Sequence, residues 1–445
     1  MIASIVLTFD HLPLSLLGCY GASWIDTPGF DRLSAEGLTW DRLLTSEGRW
    51  LIDGPAAQSP WELRGADLLT RWVQHAAVVG ESVAGGGGPQ PVLHVVATAE
   101  RLAMLPPSLD FERHVVAAGE EIDGNVNLLR RGAELVAELR DQSQPAWLWI
   151  AAEGLPTSGL PPIEVHDLYL DELVNGAELL EWLESLAAGG SAAGESSDPA
   201  AELWQQVWHR LAEGGSFAIN RRPRSPLESK IKRAFAAAST SLIDRELEVF
   251  LNEIAGGQTV AAPRLLVAGL AGGLMMHRHA SDGLPALGDE ALQTPAWLWT
   301  VDDARSGVRD RRMLDLESLL AAWLPESSQR SQQSGAEAGG AVLAESAAAG
   351  EESRFLTRCR DAQNRPLFSL RTGEWRLIGT GIEVGSEGGP NTGDPIIVTS
   401  ASGPAADSRV WLFRKPQDAW EVDDLASREL VVVEELLASL HDEAR

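Results

Sequence analysis

The chain has 445 residues, about three times the ~150-residue length usual for one domain, and 44% of them are hydrophobic against 22% charged. That balance excludes a wholly disordered chain, and no run reaches the ~18 to 20 uninterrupted apolar residues of a membrane span. Thirty-six basic against 64 acidic residues leave a formal charge of −28, which repels phosphate backbones and anionic lipid and argues against nucleic acid or a membrane as partner.

Lys230, Lys232 and Lys415 are the only lysines, so nearly all positive charge is arginine, suited to bidentate contacts with carboxylate, sulfate or phosphate. Cys19 and Cys359 show neither a CxxC nor a Cys/His ligand spacing, so no disulfide framework or zinc site is expected. The first ten residues lack a basic n-region and carry too short an apolar run for a secretory signal, so cytoplasmic residence is expected.

Ile5 to Phe9 reads as a buried parallel strand that delivers Asp10 to the carboxyl edge of a sheet, where α/β proteins place their chemistry. Thr27-Pro28-Gly29-Phe30-Asp31 has the N-cap, N1 proline and first-turn acid of a helix start. Ala76 to Gly80, Leu93 to Thr98 and Ala146 to Ala151 read as further strands, the last with Trp147 and Trp149 on one face. Asn127 to Leu139 and Asp167 to Leu186 have helical spacing. The Gly85 to Gly88 loop is not followed by Gly-Lys-Ser/Thr and is no phosphate cradle.

Residues 187–200 are rich in Gly, Ala and Ser and read as a flexible insertion. Ile231 to Ile254 is a long helix, Arg264 to Ala268 a strand running into the glycine-rich segment 269–273, Ala296 to Thr300 a strand and Leu314 to Leu324 a helix. The low-complexity tract 327–353 divides an α/β domain, 1–326, from a C-terminal α+β part, 354–445. There Phe368 to Leu370, Trp375 to Ile378, Ile396 to Thr399 and Val410 to Phe413 predict a small antiparallel sheet, closed by a helix over Ser427 to Leu440.

Asp10, then Leu17-Gly18-Cys19-Tyr20-Gly21, then Thr27-Pro28-Gly29-Phe30-Asp31-Arg32-Leu33 through Gly37, resemble in order and spacing the opening of the sulfatase family of the alkaline phosphatase superfamily. Later segments extend the likeness: Ser241 to Leu247, Gln293 to Trp299, Leu370-Arg371-Thr372-Gly373-Glu374-Trp375-Arg376-Leu377-Ile378, and Trp411 through Ala426. The resemblance implies a central sheet flanked by helices, with a small C-terminal antiparallel sheet plus helix. It also implies a divalent cation, usually calcium, held by strand-end carboxylates, and a formylglycine nucleophile made from a C/S-x-P-x-R motif.

The departures from that pattern cluster at the site. No C/S-x-P-x-R occurs: Ser46, in Leu43 to Trp50, lacks the proline and arginine, and Cys19 belongs to the LGCYG segment. Where the family carries an Asp-His metal pair, this chain has Leu270 and Ala271, and His11 stands at the second acid position beside Asp10. Asp10 alone cannot supply the six to eight oxygens of calcium, so it is expected to accept hydrogen bonds from strand-end amides. His277-Arg278-His279 with Asp282 is the one residual cluster of ligand chemistry, and the candidate metal residues are Asp10, His11, His277 and His279.

Two readings follow. In the first, the protein is a catalytically degenerate sulfatase-like pseudoenzyme, without a cofactor, that binds a protein partner or small anionic ligand. In the second, a sulfuric or phosphoric ester hydrolase works with zinc or manganese at a remodelled site containing Asp10, His11, Ser46 or Glu47, and His277/His279. A glycan-binding role for faces such as Trp147/Trp149 and Trp297/Trp299 is weaker, since tryptophan pairs in strands usually pack cores. Arg221 to Arg224 and Arg309 to Arg312 read as solvated or ion-paired faces.

Overall fold

The structure, a computed structural model, describes residues 2–44, 65–72, 92–107, 109–117, 122–140, 142, 145–155, 165, 168–178, 181–182, 223, 225–256, 263–275, 289–300, 306–315, 319, 355–360, 366–382, 409–415, 417–418 and 423–442. Two sheets organise them. The larger holds β1 (Ile2–His11), β2 (Leu38–Leu44), β3 (Val92–Thr98), β4 (Glu112–Val116), β5 (Ala146–Gly154), β6 (Arg264–Ala271), β7 (Gln293–Trp299) and β8 (Arg309–Asp315), in the order β4-β3-β5-β1-β6-β7-β2-β8. The five strands from β4 to β6 run parallel and β7 runs against β6.

Period-two alternation sends Ile5, Leu7 and Phe9 of β1 into one core and Val6 into the other. The first core is closed by α1 (Pro28–Glu36), α3 (Ile122–Arg140) and α5 (Pro226–Ala255), whose Phe30, Leu33, Leu128, Leu135, Leu247 and Phe250 are buried. The second is closed by Leu68, Leu69, Trp72 and Leu319, with Leu102 of the short α2 (Ala99–Ala103). Burial on both faces explains why the parallel strands read as nearly continuous apolar runs.

The smaller sheet is antiparallel, β12-β11-β10-β9, built from β9 (Phe355–Arg360), β10 (Pro366–Arg371), β11 (Trp375–Thr380) and β12 (Arg409–Arg414), with α7 (Leu430–Asp442) packed on Phe368, Leu370, Leu377 and Leu412. Its other face meets the main body through Ile378, Trp411 and Phe413 against Leu274, Ala291 and Leu292 of β6's exit and α6 (Asp289–Leu292). At that seam the buried Asp289 carboxylate takes Lys415 at 2.7 Å, Arg371 at 3.6 Å and Arg376.

The expected architecture of a central sheet flanked by helices, plus a small antiparallel sheet with one helix, is therefore present. Local readings differ in four places. The helix predicted at 167–186 is interrupted: α4 is only Leu170–Leu173, and Val174 is extended. The helix expected from Leu314 starts inside a strand, because Arg309–Asp315 pairs in parallel with β2. Strands β2, β4 and β9 carry charged residues that hid them from an apolar-run criterion. Thr27 sits at the N-cap of α1 but makes no side-chain cap; its hydroxyl accepts from Gly18 N at 2.9 Å. Asp244, from the middle of α5, caps α1 in its place, accepting from Gly29 N at 2.9 Å and Phe30 N at 2.7 Å. The Ala76–Gly80 and Ile396–Thr399 strands, the 85–88 loop and the 187–200 and 327–353 tracts lie outside the described residues.

The candidate active-site corner

Asp10 and His11 end β1 between Gly154 of β5 and Ala271 of β6, at the carboxyl edge of the parallel strands. Neighbouring residues on a strand face opposite ways, and these two part company. Asp10 is 3% exposed. Its carboxylate is gripped by the guanidinium of Arg101, with Nη2 to Oδ2 at 2.7 Å and Nη1 to Oδ1 at 3.2 Å. Arg101 follows β3 in α2, reaches the carbonyl of Ala152 at 3.3 Å, and is itself 6% exposed. A planar fork on a carboxylate, both out of water, is the arrangement in which arginine gains most over lysine.

His11 turns the other way: its Nδ1 donates to the carbonyl of Gly272 at 3.1 Å. Burial drives its pKa down to about 4, and the charges of Arg101 and Lys232 push in the same direction, so the imidazole is neutral at pH 7. Lys232 lies on α5 and is fully buried. Two basic side chains, Arg101 and Lys232, thus bear on this corner.

The surrounding backbone is closed rather than open. Gly154, at φ +72°, lets β5 turn so tightly that a Cβ there would run into the His11 carbonyl, and Leu155 N donates to that carbonyl at 3.2 Å. Asn125 of α3, fully buried, clamps the turn: its Oδ1 accepts from Glu153 N at 2.7 Å and Gly154 N at 3.0 Å, and its Nδ2 donates to Gly154 O at 2.7 Å. On the β6 side, Leu270 and Ala271 are buried and apolar, and the amides of Gly272 and Gly273 donate to Ala291 O and Glu290 O at 2.8 and 3.1 Å. The glycine-rich segment therefore packs against α6 and does not offer those two amides to an anion.

Calcium needs six to eight oxygen ligands. The described residues here offer the Asp10 carboxylate, already held by the Arg101 guanidinium, the Glu153 carboxylate 3.9 Å from the same guanidinium, a histidine committed to a carbonyl, and two apolar side chains, a set that does not fit that ion. Among the described residues, no group of three or more His, Cys, Asp or Glu is placed to hold a metal. His277, His279, Asp282, Ser46 and Glu47 lie outside the described residues.

The LGCYG segment is scaffold. Burial pushes the Cys19 thiol up to about 12, so it is no thiolate nucleophile, and its carbonyl accepts from Arg309 at 3.0 Å. Arg309 also forks onto Asp41 at 2.7 and 3.0 Å and stacks over Tyr20, which bears out the ion-paired reading at that arginine. Trp147 and Trp149 pack on Trp72, and Trp297 and Trp299 are buried under the other face, so these four present no stacking surface to a glycan. Arg101 lies 91 residues from its partner, and in the sequence a basic residue within Ala99-Glu100-Arg101-Leu102 looks like any solvated helix residue.

No family model and no curated protein sequence matches the chain. Solved structures do, over nearly its full length, and they show that it shares the fold of sulfatases and of a phosphonate monoester hydrolase. An enzyme solved in complex with its substrate D-glucosamine-2-N,6-O-disulfate is 11% identical, with a TM-score of 0.58 over 99% of this chain and 97% of that one. The phosphonate monoester hydrolase of Agrobacterium radiobacter is 11% identical, with a TM-score of 0.57 over 99% and 96%. A 2-O GAG sulfatase gives 11% identity and a TM-score of 0.52 over 99% and 92%. The resemblance first carried by the LGCYG and Thr-Pro-Gly-Phe-Asp-Arg-Leu segments thus extends to the whole architecture.

Proposed function

We propose that this chain is a catalytically degenerate member of the sulfatase-like fold whose role is to bind a protein partner or small anionic ligand. The observation that supports this reading is the Arg101–Asp10 pair: the strand-end acid that would hold a cation carries a buried guanidinium instead. One positive charge fixed by the protein answers the carboxylate but, unlike a metal, has no open coordination position for an ester oxygen or a water. Neutral His11 and apolar Leu270 and Ala271 agree with it.

The test is elemental analysis of purified, tag-free protein together with turnover of aryl sulfate and aryl phosphate esters. No turnover, in the protein as purified or after incubation with Ca2+, Zn2+ or Mn2+, is expected. Turnover that vanishes in Asp10→Ala, with about one equivalent of metal bound, would replace this reading with a remodelled hydrolase.

A further inference from the structure

His94 of β3 and His114 of β4 stand two and three strands from β1 in the sheet order. In the parallel register His94 faces Glu112 and Val96 faces His114, so both imidazoles share one face, two positions apart. Nδ1 of His94 and Nε2 of His114 meet at 3.1 Å, with ring planes tilted by 34°. Among the described residues β4 ends the sheet order, with Glu112, Arg113 and Val115 exposed; on it His114 is half-buried, while His94 is 8% exposed.

A metal ion 2.0–2.1 Å from two imidazole nitrogens sets them about 2.9 Å apart at a right angle and about 3.3 Å at the tetrahedral angle. The observed separation falls between the two. We infer that His94 and His114 form a two-histidine site for a transition metal ion of the Cu2+, Ni2+ or Zn2+ class, open to water at its remaining positions. For both nitrogens to bind, the ring that donates the shared proton takes its other tautomer, the proton passing through water to its remote nitrogen, and each ring turns its lone pair by about 40° to a common point beside the N–N line.

Local charge suits this. Burial lowers the pKa of both histidines; the charge of His114 adds to the lowering at His94, and that of Arg131 adds to it at His114. Both are therefore available as neutral ligands near pH 7. Glu112 opposes the lowering at both rings and Glu138 at His114, so acidic charge faces the site and attracts a cation. Arg131 is tied to Glu134 at 3.1 Å and to Glu138 at 2.8 Å. With two nitrogen ligands, affinity should follow Ni2+ < Cu2+ > Zn2+.

The experiment uses tag-free full-length protein in a His277→Gln/His279→Gln background, which removes the other closely spaced histidine pair. Cu2+ is titrated by calorimetry and followed by electron paramagnetic resonance. The expected result is one equivalent with a superhyperfine pattern from two imidazole nitrogens, and affinity lower by about tenfold or more in His94→Gln or His114→Gln. Apo far-UV circular dichroism checks that the variants fold. Should they not, the nitrogen count in the parent decides alone. A parent spectrum without two imidazole nitrogens, or unchanged uptake in the folded double variant, overturns the assignment.

Discussion

Replacing Arg101 by methionine keeps roughly the length of the side chain and removes the charge from a pair that is almost wholly out of water. The carboxyl and guanidinium centres of this bidentate pair lie about 4 Å apart, which at an effective dielectric of about 20 corresponds to an attraction of about 4 kcal/mol. Breaking a buried pair from one side typically costs about 3–5 kcal/mol, because the surviving charge stays desolvated. Arg101→Met should therefore lose about that much stability at pH 7. Asp10→Asn/Arg101→Met should recover a large part of it, since neither side then carries a charge. Urea unfolding followed by tryptophan fluorescence reads all four members of the cycle; buried Trp149, which donates to Thr8 of the same β1 strand at 3.1 Å, reports locally. A coupling below about 1 kcal/mol would refute the view that Arg101 holds the charge of this corner.

Other outcomes follow from the same geometry. Because His11 is held near pKa 4 against 6.5 unfolded, the unfolded chain binds more protons between those values, so its contribution is present above pH 6.5 and lost as pH falls toward 4. About 3 kcal/mol is at stake, and His11→Gln, which keeps a donor for Gly272, should flatten that limb of a urea-midpoint profile. Asp244 slopes the opposite way: burial raises it from 3.8 to about 7, so its contribution declines as pH climbs between those values. Asp244→Ala should cost about 1–2 kcal/mol in thermal melts below pH 4, where the charge penalty is absent, by stripping the cap from Gly29 and Phe30. Asp289→Ala removes the carboxylate that Arg371, Arg376 and Lys415 converge on; limited proteolysis should then cut at the seam of the small sheet well before the main body opens. Gly154→Ala, forced into the left-handed region against the His11 carbonyl, should lower the melting temperature clearly more than Gly176→Ala, around which a Cβ meets open space.

Much of this protein was legible in the chain itself. Apolar runs with period two or 3.6 located β1, β3, β5, β6, β7 and the long helices, because a parallel sheet covered on both faces must be apolar along its length. The LGCYG and Thr-Pro-Gly-Phe-Asp-Arg-Leu segments carried the fold, since they pack Tyr20, Phe30 and Leu33 against the sheet and hold Asp41 through Arg309. The local departures from the pattern the chain resembles, at Ser46, Leu270 and Ala271, are likewise visible without coordinates.

The pairing of distant polar side chains was decided by tertiary structure. Arg101 and Asp10 are 91 residues apart, His94 and His114 belong to neighbouring strands joined through a helix, and Asp244 caps a helix more than 200 residues upstream. Charged and imidazole side chains carry no hydrophobic period, so nothing in their local sequence separates a solvated residue from a buried partner. Their meaning is set by strand order and register, which bring distant segments within hydrogen-bond reach and remove the water that would otherwise screen them.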